Sequence, residues 1–142
     1  MDRGFWLPPG YRRLPAYDGY YIDAEAVYAT GDIYADWDRF LNGVCSRLSA
    51  EIPAMRKICD WTLSPAGNGR FILTADDLIQ VIAEDADSYV AVYAIIPESG
   101  KASAKAKRQL SKVLKQLEAI LTSQYPDHVW RRENSQHVRR VG

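Results

Sequence analysis

The sequence predicts a single α+β domain: two amphipathic helices packed on a small antiparallel β-sheet, with an extended Pro- and aromatic-rich N-terminal segment. Three observations carry this expectation. Apolar residues recur at helical spacing over 36–52 and 102–124, β-rich runs bounded by turn residues fill 57–97, and 142 residues is about one domain of chain. With 47% hydrophobic and 25% charged residues, the chain can build a packed core rather than remain disordered. The globular domain is expected over 1–126, with 1–35 as a strap laid across it and 127–142 as a basic C-terminal tail.

Within 1–35, Pro8, Pro9 and Pro15 fix φ and remove backbone donors, so the opening should be extended or turned. A short strand near 20–23 and a helical turn around 24–29 follow, broken by Thr30-Gly31-Asp32. The first long helix is expected over 36–52. There Trp37, Phe40, Leu41, Val44, Leu48 and Ile52 share one face, Asp36 is a suitable N-cap, Asp38 falls in the first turn, and Pro53 stops the helix.

Strands at 58–63 and 70–73 flank a turn whose Asn68-Gly69 supplies the positive φ of a hairpin loop. The run 89–96 is β-rich with no polar face, which marks a strand that is central or covered on both sides. Between them 78–84 fits either a strand or a helix, and we read it as a strand. The final helix, 102–124, puts Ala106, Leu110, Val113, Leu114, Leu117, Ile120 and Leu121 on one stripe and Lys101, Lys105, Arg108, Lys112 and Lys115 on the opposite one.

Charge is the most informative functional feature. Residues 1–100 hold 8 Lys+Arg against 15 Asp+Glu and 101–142 hold 10 against 3, so a neutral chain divides into −7 and +7. Cations one helical turn apart on an exposed face suit a phosphate backbone, and Trp130 beside paired arginines suits stacking on unpaired bases. The favoured reading is therefore a small non-enzymatic binding protein that engages nucleic acid, or an acidic protein, through Lys105, Arg108, Lys112, Lys115, Trp130, Arg131, Arg132, Arg139 and Arg140. The alternative is a protein-binding regulator, such as an inhibitor, an immunity protein or an assembly subunit. It would use an aromatic N-terminal surface of Tyr11, Tyr17, Tyr20 and Tyr21.

A metal-dependent hydrolase is the third reading, and its motifs are thin. Asp36/Asp38, Asp76/Asp77 and Glu84/Asp85/Asp87 sit where helix starts and turns want acids, and His128, His137, Cys45 and Cys59 match no zinc spacing. Ser99-Gly100-Lys101 is not a phosphate loop, because Ile95 replaces the earlier glycine and Ala102 the Ser or Thr. No catalytic residue, metal or cofactor is expected. No apolar run reaches the roughly 20 residues of a membrane span, and the opening lacks a signal-peptide apolar stretch. The expected setting is the cytoplasm, with reduced cysteines and no membrane partner; self-association stays open.

Overall fold

The computed structural model describes residues 9–12, 19–53, 55–63, 69–75, 79–86, 88–98, 103–134 and 137–141. Among these residues the fold is α+β, with three helices on one face of an antiparallel sheet. In chain order the elements are β1 (Tyr11–Arg12), β2 (Tyr20–Asp23), α1 (Ala24–Val27), α2 (Ile33–Glu51), β3 (Met55–Leu63), β4 (Gly69–Ala75), β5 (Ile79–Ala86), β6 (Tyr89–Pro97), α3 (Ser103–Gln124), β7 (Val129–Asn134) and β8 (His137–Arg140). The sheet runs β3-β4-β5-β6-β2-β7-β8, and β1 pairs with the far end of β6. Among the described residues no helix is long and apolar enough to cross a membrane.

β6 is the hub of the sheet. Its Val90, Val92, Ala94 and Ile96 enter the core beneath the helices, while Ala91, Tyr93 and Ile95 join Ile82 in a second cluster on the opposite face. Burial on both faces explains a run without a polar side. The segment 79–86 is a strand, and β5 sends Ile79, Val81 and Ala83 toward the helices. β3 and β4 pair as the expected hairpin. Its connection, 64–68, lies outside the described residues.

The sheet is wider than the three or four strands expected between 57 and 97, because both flanking segments join it. Of the N-terminal segment, β1 and β2 are strands of the sheet: in β2, Tyr20 and Ile22 are buried beneath the helices, and Tyr21 and Asp23 alternate to the other face. The segment read as a tail forms β7 and β8, with β7 pairing along β2 through Tyr20↔Arg131, Tyr21↔Trp130 and Ile22↔Val129.

α2 begins one turn earlier than expected, and Asp32 rather than Asp36 is its cap. The Asp32 carboxylate accepts from the backbone N–H groups of Tyr34 at 3.1 Å and Ala35 at 3.2 Å. Asp36 is buried instead. It accepts from the Thr30 hydroxyl at 2.7 Å, the Thr30 N–H at 3.3 Å and the Arg39 guanidinium at 2.9 Å. Burial alone would raise its carboxyl, but the hydrogen bonds from Thr30 and Arg39 and the Arg39 charge outweigh it and hold the group below its usual range.

A depressed folded-state value means that Asp36 contributes stability above the ordinary carboxylate value of 3.8, and that this contribution is lost as pH falls through the folded-state value. Asp36→Asn is therefore expected to destabilise the protein by about 1.5–3 kcal/mol at neutral pH. Melts of both proteins at stepped pH should show the gap closing in acid; a gap that persists at the lowest pH contradicts the role given to the charge.

Candidate functional site

α3 owes its two faces to residue spacing. Ala106, Leu110, Val113, Leu117, Ile120 and Leu121 are buried against the sheet and α2, which turns the residues half a turn away into solvent. Lys105, Arg108, Lys112 and Lys115 are all exposed there, at alternating steps of three and four that stack them on one stripe. At 1.5 Å per residue the stripe is about 15 Å long. No acidic residue interrupts the helix before Glu118, and Lys107 adds a further exposed cation on its flank.

The structure does not gather the whole basic set on this surface. Arg131 lies across from Tyr20, on the helix side of the sheet. The Tyr20 hydroxyl donates to Glu118 Oε1 at 3.2 Å. Burial and the Glu118 charge push this hydroxyl far above its ordinary value, against the pull of the Arg131 charge. Arg131 therefore borders α3. Trp130 does not: Val129 is buried under the helices, so its neighbour points to the opposite face, where the indole Nε1 donates to Asp23 Oδ1 at 3.1 Å. Backbone pairing sets Arg140 opposite Trp130, Arg139 opposite Arg131 and Arg132 opposite Val138. The side chains of Arg132, Arg139 and Arg140 lie outside the described residues.

The N-terminal aromatic set divides likewise. Tyr20 is core, at 4% exposure, because its position in β2 faces the helices. Tyr11 and Tyr21 are half-buried against the Tyr93/Ile95 cluster, and Tyr17 lies outside the described residues. Of the carboxylate clusters, Asp36 is structural, Glu84 accepts from the Tyr93 hydroxyl at 2.9 Å, and Asp76, Asp77 and Asp87 lie outside the described residues. Cys45 is half-buried and packs against the main core.

One constellation has no sequence signature. Asp23 ends β2, Glu25 lies in α1, and His128 sits in the turn before β7, with ligand-capable atoms of all three within 4.8 Å of one another. His128 Nδ1 lies 3.1 Å from Asp23 Oδ2, and the Asp23 N–H donates to the His128 carbonyl at 3.0 Å. Strand pairing alone unites residues so far apart in the chain. The only cue in the sequence is that 20–23 reads as a strand ending in an acid. No protein-family model, curated protein or solved structure matches the chain.

Proposed function

We propose that the protein binds nucleic acid through the phosphate backbone, using the exposed α3 stripe with Arg131 at its border. The observation that supports this reading is the row Lys105, Arg108, Lys112 and Lys115: four exposed cations, one per turn, with no acid between them. A buried apolar stripe anchors the helix rigidly, so these side chains present charge without an ordering cost for the backbone. Displacement of condensed counterions from the polyanion then supplies the driving force. In this proposal Arg139, paired with Arg131, continues the basic set toward the sheet edge, whereas Arg140 pairs with Trp130, whose indole N–H donates to Asp23 on the opposite face. The contacts are with phosphates, so recognition is independent of base sequence, and the setting is the cytoplasm.

The test is fluorescence anisotropy with labelled single- and double-stranded DNA and RNA, titrated with the full chain between about 50 and 200 mM salt. Wild-type binding is expected to weaken steeply with salt. The combined substitution Lys105→Glu, Arg108→Glu, Lys112→Glu lies entirely on exposed positions, so it should leave the melting temperature in place. It should flatten the slope of log K against log salt by about 2–3 units. Unchanged binding and slope in the variant, or no binding by wild type at the lowest salt, would overturn the proposal and leave the stripe to an acidic protein.

A further inference from the structure

We infer that Asp23, Glu25 and His128 form a binding site for a divalent transition-metal ion of the Zn²⁺ type. This site lies on other elements than the α3 stripe, and the inference stands independently of nucleic-acid binding. The donor set is one imidazole nitrogen and two carboxylates. Such a mixed set suits Zn²⁺, Co²⁺, Mn²⁺ or Fe²⁺, whereas Ca²⁺ and Mg²⁺ favour all-oxygen shells and Cu⁺ favours sulfur.

The geometry fits an ion of that size. Two ligands on one tetrahedral Zn²⁺, with bonds of about 2.0–2.2 Å, stand about 3.3–3.6 Å apart. His128 Nδ1 and Asp23 Oδ2 are already 3.1 Å apart. An ion entering there takes the place of the hydrogen bond between the two atoms, its proton passing to solvent or to Nε2 of the ring, and each atom keeps nearly its present place. Glu25 is exposed on α1 with a carboxylate oxygen within 4.8 Å of the other two ligand atoms, so rotation of its side chain suffices to bring in the third ligand. Half-exposure at the sheet corner leaves solvent access for a water in the fourth position.

Two further contacts hold the ligands in place. Trp130 Nε1 occupies the other Asp23 oxygen at 3.1 Å, the outer-sphere hydrogen bond that typically orients a carboxylate ligand and leaves one oxygen for the metal. The backbone bond from Asp23 N–H to the His128 carbonyl fixes the two chain segments side by side at 3.0 Å. Asp23 and His128 therefore approach each other through the pairing of β2 with β7, not through side-chain flexibility.

The experiment is equilibrium dialysis of the full chain against Zn²⁺, with elemental analysis of bound metal, and a parallel Co²⁺ titration followed by tryptophan emission. One equivalent of Zn²⁺ is expected to bind and to be lost in His128→Ala. Glu25→Gln, at an exposed position that leaves the fold untouched, should weaken binding by at least tenfold. Trp130→Phe should keep all three ligands yet weaken binding by about 10- to 100-fold through loss of the outer-sphere bond. It should also remove the part of the emission that Co²⁺ quenches. No saturable binding by wild type, or one equivalent still bound with unchanged affinity in Glu25→Gln, overturns the inference.

Discussion

Truncation of Trp37 to alanine is expected to destabilise the protein by about 3–5 kcal/mol, because it removes a large side chain with no solvent-exposed surface and leaves a cavity. Trp37 sits where the helices meet. Its ring lies edge-on to Phe40 at 5.7 Å and to Tyr28 at 6.3 Å, and Phe40 in turn meets Tyr125 at the end of α3 at 5.8 Å. Loss of the indole therefore loosens α2 against both its neighbours. Against a typical total stability of about 5–15 kcal/mol, the melting temperature should fall by about 10 °C or more. Urea denaturation of Trp37→Ala and Trp37→Phe checks this: the phenylalanine variant should recover more than half of the loss. A truncation that costs under about 1 kcal/mol contradicts the packing described.

Gly19→Ala is the second substitution with a large expected effect. Gly19 holds φ at +107°, a backbone conformation that residues with a Cβ rarely adopt, at a cost of about 1–3 kcal/mol. A Cβ there would also stand 2.7 Å from the Val92 carbonyl oxygen and 2.9 Å from Tyr93 Cβ. Those atoms belong to the buried hub strand and have no room to retreat, so steric displacement should add a comparable amount. Gly31 is the natural control, with φ of +84° and nothing within 4 Å of the position a Cβ would take. Thermal melts should place Gly19→Ala well below Gly31→Ala. Equal losses would mean that only backbone conformation matters and that β2 does not approach β6 as closely as described.

The elements most legible in the sequence are those in which burial and periodicity coincide. α3 is visible because Ala106 through Leu121 bury one continuous stripe, and β6 because both its faces are covered. The start of α2 is misleading for a physical reason: Asp32 and Asp36 are both credible caps, and the choice is made by the Thr30 hydroxyl, which turns Asp36 into a buried partner. β7 escapes recognition because Val129 is its one clearly buried described residue and is followed by Trp-Arg-Arg, a pattern without alternation. The basic stripe of α3 could be read from spacing alone. The Asp23–His128 contact could not, since 105 positions separate its members and only the insertion of β2 beside β7 unites them.

That insertion also orders events during synthesis. β3 to β6 form a meander of neighbouring hairpins, whose short loops close early. β2, made before all of them, has no partner until Tyr89–Pro97 leaves the ribosome, a wait of several seconds at about 5–20 residues per second. β7 in turn has nowhere to dock until β2 is seated against β6. A strand made before β3 to β6 thus waits as an open template and becomes the seat for one of the last, and its shortness and its charged end at Asp23 blunt it as a template for other chains.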